Sequence, residues 1–192
     1  MNSPGVLAFT RTLLSSCLKA GDTAVDATVG NGHDTAFLAE LVGPSGEVYG
    51  FDIQQQAIEA AHVRLQEAGT LDHVRLIQDG HETIPDYLPV AKSVQGAVFN
   101  LGYLPGADKS VITLPDTTLT ALKALMKRLT KGGIIVLVVY HGHPGGANER
   151  DALRHFTQRL PQSSWHVLEY GFTNQINHPP FIIALEKKRN LS

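Results

Sequence analysis

Four short stretches of this chain set acids, amides and histidines beside glycines, each directly after an apolar run. In VDATVGNGHDT (residues 25–35), Asp26 closes the apolar run, and Gly30, Asn31 and Gly32 precede His33, Asp34 and Thr35. In GEVYGFDIQ the run ends on Asp52, 22 residues after Gly30, with Gln54 just beyond. QDGHE (78–82) carries Asp79, Gly80 and His81, and FNLGYLPG (99–106) carries Asn100 and Tyr103. Glycines let backbone approach a ligand closely. An acid about 20 residues past such a loop is spaced to grip the two ribose hydroxyls of an adenosine. The chemistry these residues suit is nucleotide binding, with further polar groups at hand for a transfer step.

The kind of nucleotide can be narrowed. A pyrophosphate is drawn to the free N–H groups at a helix start. Here Asp34 stands at that start, where the pattern predicts a helix cap, and Thr35 takes the place of the glycine that lets helix and strand pack closely. A cationic or zwitterionic ligand therefore fits this loop better than an anionic one. A methyl-donor loop usually has a glycine where this chain has Thr28.

To bring the four stretches together, the elements between them must alternate. Residues 3–20 read as an amphipathic helix, and strands are predicted at 23–27, 47–53, 73–79, 94–102 and 132–142. Helices are predicted at 34–41, 55–69, 115–129 (capped by Asp116) and 147–160. SWHVLEYGF and FIIALEKK close the chain as two strands with no helix between them, hence as a hairpin. The fold class is α/β: a doubly wound, Rossmann-like seven-stranded sheet, mostly parallel, with an antiparallel last strand. One domain over residues 1–192 is expected, its N-terminal helix (1–20) preceding sheet and helices over 23–187.

Composition agrees with a globular chain, at 43% hydrophobic and 18% charged residues. The longest apolar run, GGIIVLVVY (132–140), is too short to span a bilayer. Arg11 interrupts the apolar N-terminus, which reads as a helix and not as a signal peptide. A single cysteine, Cys17, leaves no partner for an intrachain disulfide and suits a reducing, cytoplasmic setting. Charge is unevenly spread: residues 1–108 hold 5 basic against 13 acidic residues, and residues 109–192 hold 11 against 5. Lys123, Lys127, Arg128 and Lys131, then Arg150, Arg154 and Arg159, then Lys187, Lys188 and Arg189, could hold phosphates. The histidines of HGH (141–143) have no cysteine or carboxylate at ligand spacing, so no metal site is expected.

DATVGNGHDT, FNLGYLPG, VVYHGHPGG and NHPPFIIALEK, in this order, resemble a class I S-adenosylmethionine-dependent methyltransferase. The likeness is to the small bacterial rRNA methylase group that includes the tRNA 5-aminomethyl-2-thiouridine methyltransferase. It implies S-adenosylmethionine as cofactor and an RNA acceptor, with the anticodon region of tRNA as the expected partner, held by one domain or by a homodimer. By that resemblance Gly30, Asn31 and Gly32 line the methionine and ribose, and His33 and Asp34 add polar contacts. Asp52, helped by Gln54, takes the ribose, while Asp79, Gly80 and His81 border the adenine. Asn100 and Tyr103 loosely resemble the (Asp/Asn)-Pro-Pro-aromatic motif that holds a target nitrogen in amino-methylating enzymes. His141, His143 and His178 are candidate proton acceptors, with Tyr140 shaping the rim. Four readings compete with a tRNA acceptor: an rRNA methyltransferase of the same fold, a small-molecule methyltransferase, a non-catalytic cofactor-binding domain and a nicotinamide-dependent oxidoreductase.

Overall fold

The computed structural model describes residues 3–102 and 112–188. Its elements run α1 (Val6–Cys17), β1 (Thr23–Asp26), α2 (His33–Val42), β2 (Glu47–Phe51), α3 (Gln55–Glu67), β3 (Val74–Ile77), α4 (Ile84–Tyr87), β4 (Val94–Leu101), α5 (Pro115–Arg128), β5 (Leu129–Val139), α6 (Gly146–Thr157), β6 (Trp165–Tyr170) and β7 (Phe181–Lys187). The seven strands form one sheet in the order β3-β2-β1-β4-β5-β7-β6. Pairings from β3 through β5 are parallel, and β7 is antiparallel to both of its neighbours. The expected antiparallel last strand is present, but it lies between β5 and β6, so β6 forms the sheet edge.

Strand side chains alternate between two apolar layers, as a sheet covered on both faces requires. Ile135, Leu137 and Val139 of β5 join Leu122, Leu125 and Leu153 from α5 and α6 on one side. Ile134, Val136 and Val138 join Leu14 of α1 and Leu38 of α2 on the other. Most elements end sooner than the sequence pattern suggests. β5 stops at Val139, leaving His141 and His143 in the loop that follows. The short α4, with a 3₁₀ turn at His81–Thr83 before it, is absent from the pattern because one turn is too short to show a helical period.

Two helix starts differ from expectation. α5 is preceded by Leu114 with no side-chain cap, and Asp116 lies inside its first turn, where its charge suits the helix dipole. α2 is preceded by Gly32 in the left-handed region (φ 76°), so Asp34 is a first-turn residue and not the cap. A Cβ on Gly32 would stand 2.7 Å from Ala61 Cα, so this glycine is what lets the loop rest against α3. Gly32→Ala is therefore expected to destabilise the fold by about 2 kcal/mol, through left-handed strain and overpacking. A lowered urea midpoint at unchanged m-value would register it; an unchanged midpoint would mean that the loop relaxes without cost.

Candidate active site

Strands β1 to β5 present their C-terminal ends at one edge, and the strand order reverses between β1 and β4, where open α/β sheets take ligands. A cleft of about 280 Å³ opens there. Gly30 from the first loop, Asp52 and Gln54 after β2, and Asp79, Gly80 and His81 after β3 lie in its lining. Asn100 on β4 and the segment Ile112–Leu114 with Thr117 of α5 complete it. The second and third stretches thus bring all their named residues to the cleft, the first brings Gly30 with Ala27 and Thr28, and the fourth brings Asn100. Tyr103 lies outside the described residues.

Asp52 organises the first loop. Its Oδ2 accepts the Gly30 N–H at 2.9 Å and its Oδ1 the Gln54 N–H at 3.0 Å. Gly30 is left-handed (φ 52°), which turns its N–H toward that carboxylate. Each carboxylate oxygen accepts more than one hydrogen bond, so Asp52 keeps capacity for a ligand's hydroxyls. After β3, Asp79 accepts the Gly80 N–H at 2.8 Å and the Tyr87 hydroxyl at 2.9 Å. The Gly80 bond and then the Tyr87 bond hold its carboxyl below the ordinary range.

Thr28, the departure from the usual glycine, has a defined place. Its Oγ1 accepts the Asn100 N–H at 2.6 Å, joining the ends of β1 and β4. The Asn100 side-chain NH₂ donates to Asp34 Oδ2 at 2.6 Å. A carboxylate can only accept, so the NH₂ must face Asp34, and Asn100 Oδ1 is left as an acceptor. Asp34 contributes to the cleft through Asn100 and is not itself part of the lining.

Two buried groups lie at this end of the sheet, His81 in the cleft lining and Asp26 behind it. His81 is 8% exposed, and its Nδ1 lies 3.1 Å from the Ala27 carbonyl. The carbonyl only accepts, so Nδ1 carries the proton, and burial holds the ring below the ordinary histidine range. Asp26, the first residue of DATVGNGHDT, is fully buried and accepts Thr35 Oγ1–H at 2.7 Å and Thr28 N–H at 3.1 Å. Burial, then the Asp34 carboxylate, and more weakly Asp52, push it up to about 7, against the pull of its two hydrogen bonds.

In an unfolded chain Asp26 would titrate near 4. Its stabilising protonation is thus fully present below about pH 4 and is lost as pH rises through about 7. Relative to Asp26→Asn, which stays neutral, the natural chain should lose about 4 kcal/mol between pH 4 and pH 8. Urea unfolding of both proteins across that range checks this; parallel curves would contradict it.

The remaining predicted residues stand elsewhere. Asn31 is exposed and offers its carbonyl to Arg64 Nε at 2.8 Å. Gly32 packs on Ala61, and His33 faces a separate polar groove with Arg11, Phe37 and Arg64. His141 packs edge-on against His178 and Phe181 and is not in the cleft lining. Burial, then Arg150, with His178 and Arg154 adding, holds it below the ordinary histidine range. Among the described residues no cluster of three or more His, Cys, Asp or Glu could hold a metal ion. Among them, too, no helix is long and apolar enough to cross a membrane.

The basic residues read as a phosphate grip are largely committed to the fold. Lys187 Nζ donates to the Leu129 carbonyl, Arg128 to Pro89 and Lys188 to Gln162. Arg150 pairs with Asp151, and Arg154 pairs with Glu169. Lys127, Arg128 and Lys131 lie where α5 ends and β5 begins, the sheet edge opposite the cleft. Spacing in the sequence shows charge but not which carbonyl or carboxylate has already taken it.

Known proteins share this architecture. The family model described as "Putative rRNA methylase" matches residues 48–186. A chloroplastic tRNA (mnm(5)s(2)U34)-methyltransferase of Arabidopsis thaliana is 41% identical over 183 residues, covering 90% of this chain. The chain spans 66% of that relative's length. The crystal structure of a protein described as an rRNA-methylase, from Clostridium thermocellum, superposes with TM-score 0.94 at 41% identity, covering 97% of this chain and 100% of the other. A methyltransferase from Streptococcus mutans, in complex with SAH, superposes with TM-score 0.87 at 41% identity, covering 97% and 99%.

Proposed function

The chain belongs to the rRNA methylase family, and from that premise we propose that it is an S-adenosylmethionine-dependent RNA methyltransferase. Its acceptor on this reading is the aminomethyl nitrogen of a modified uridine at the wobble position of tRNA. The observation that carries the reading is the pairing of Asp52 and Asn100 across one cleft. Asp52 offers a carboxylate to ribose hydroxyls, and Asn100 Oδ1, left as an acceptor because Asp34 takes the NH₂, is available to an amine N–H.

The residues present fit the cofactor. Asp34 and Asp52 flank the Gly30 loop, so the local charge favours a ligand bearing a sulfonium and an ammonium over a pyrophosphate. Ile53, 57% exposed, supplies apolar surface beside Asp52, as an adenine ring requires. Gly30, Asp52 and Gln54 would hold the ribose side, and Asp79, Gly80 and His81 the base. When bound, S-adenosylmethionine supplies an electrophilic methyl group on a good leaving group. What remains for this chain is to orient the acceptor and keep water away.

An amine attacks only as the free base. Asn100 Oδ1 accepts an N–H of the neutral amine and directs the nitrogen lone pair away from itself, toward the donor side of the cleft. An ammonium would also satisfy Asn100, so the proton has to leave before the lone pair is available. His81, kept neutral by burial, adds no positive charge to oppose that loss. The Arabidopsis relative, a tRNA (mnm(5)s(2)U34)-methyltransferase, supports the tRNA acceptor, and the Streptococcus mutans structure supports the cofactor by its bound SAH.

Labelled S-adenosylmethionine incubated with bulk tRNA from cells lacking this gene tests the proposal, with mass spectrometry of the digested nucleosides. Label is expected on one wobble nucleoside. A folded, cofactor-binding protein that leaves tRNA unlabelled would overturn the tRNA acceptor. Label in ribosomal RNA would move the acceptor there, and turnover on metabolites without RNA would make this a small-molecule enzyme.

A further inference from the structure

A buried carboxylate outside every motif holds the acceptor side of the cleft together. Glu149, in the first turn of α6, is 1% exposed. Its Oε2 accepts Thr113 Oγ1–H at 2.6 Å, and its Oε1 accepts Thr118 Oγ1–H at 2.7 Å. Thr113 also donates its backbone N–H to the Gly102 carbonyl at 3.0 Å. One carboxylate thereby joins α6, the segment Ile112–Leu114 and the first turns of α5.

Burying a carboxylate is costly, and two hydroxyl donors with the positive end of α6 offset only part of that cost. An apolar side chain would fill the same space without it. What the carboxylate does, and an apolar group cannot, is hold two hydroxyls on two different elements at one fixed separation. Those elements carry Ile112, Thr113, Leu114 and Thr117, a wall of the cleft that the Thr113–Gly102 bond ties to the end of β4, two residues past Asn100. Leu114 is 53% exposed in that wall, an apolar contact for a base.

We propose that Glu149 is a positioning residue that sets this wall, so that the acceptor nucleotide seats with its nitrogen at Asn100. The inference rests on the RNA methyltransferase reading above. Three quantities test it: cofactor affinity by calorimetry, kcat and KM for RNA at saturating cofactor, and hydrogen exchange of the amides of residues 112–118.

Glu149→Ala is expected to leave cofactor affinity within threefold and to lower kcat on the order of 100-fold, the scale of a misplaced reactant. The amides of 112–118 should exchange at least about tenfold faster, since local opening becomes easier. Glu149→Gln, which keeps one acceptor and gains donors, should restore most of the turnover. Thr118→Val, which removes one arm of the clamp, should fall between the two, and it decides the matter if Glu149→Ala does not fold.

Unchanged kcat in the folded Glu149→Ala or Thr118→Val protein would overturn the proposal. So would a loss of cofactor affinity in step with kcat, which would assign Glu149 to the donor half. If the natural chain labels no RNA, the functional reading fails, and the exchange rates alone decide whether Glu149 sets the wall.

Discussion

Asp52→Ala is expected to weaken S-adenosylmethionine binding on the order of 100-fold, about 3 kcal/mol. Two hydroxyls donating to one carboxylate account for that size, since hydrogen bonds to a charged group contribute roughly 1.5–3 kcal/mol each and losses at one group do not add fully. Asp52 also accepts the N–H groups of Gly30 and Gln54, so its removal frees the loop that meets the ligand. Asp52→Asn separates the two roles. The amide oxygen can keep one backbone N–H, but its NH₂ cannot accept the other, and the charge is gone. Calorimetry on all three proteins, with melting curves of the unliganded forms, provides the measurement. If the alanine variant is folded and binds within threefold of the natural chain, the ribose is held elsewhere and the assignment of Asp52 falls.

Asp52 was legible in the sequence for the reason that makes it effective. It closes an apolar strand at a fixed distance from a glycine loop, and both facts are local. Thr28 was not legible, since its partner Asn100 is 72 residues away and the bond exists only because β1 and β4 are neighbours. A register read from one strand cannot foresee a contact between two strand ends. Glu149 escaped for the same reason, its partners being 31 and 36 residues distant on other elements.

Gly32 was found but given a different task. The pattern marks a glycine, whereas the need it meets, closeness to Ala61, is set by the packing of α2 against α3. Sheet and helices followed from alternation and period, because apolar burial on two faces imposes both. His141 illustrates the limit. Its position after β5 suggests the rim, but the antiparallel neighbour β7 brings Phe181 against its ring, and no local pattern announces which strand that neighbour will be.

Asn100→Ala should lower kcat by on the order of 10²–10³ while sparing cofactor affinity, the loss typical of one fixed polar group at a reacting centre. The size of the effect depends on Asn100 being held in one orientation. Asp34 Oδ2, 2.6 Å from the NH₂, supplies that hold, and the Thr28 hydroxyl fixes the backbone beneath it. Asp34→Asn removes the orientation without removing Asn100, because two amides can pair in either sense. It should therefore cost less, on the order of tenfold, as expected when geometry is loosened but the group is kept. Asn100→Asp would set two carboxylates in contact, and repulsion from Asp34 would push one of them to bind a proton. Its turnover should consequently fall further as pH rises from 6 to 8, while the Asn100→Ala protein shows no such added slope. Single-turnover rates on RNA with saturating cofactor measure all three. If the alanine variant transfers methyl groups within threefold of the natural rate, the acceptor nitrogen is not held at this strand end. If instead cofactor affinity falls together with the rate, Asn100 serves the donor half of the cleft and the amine must be held by another group.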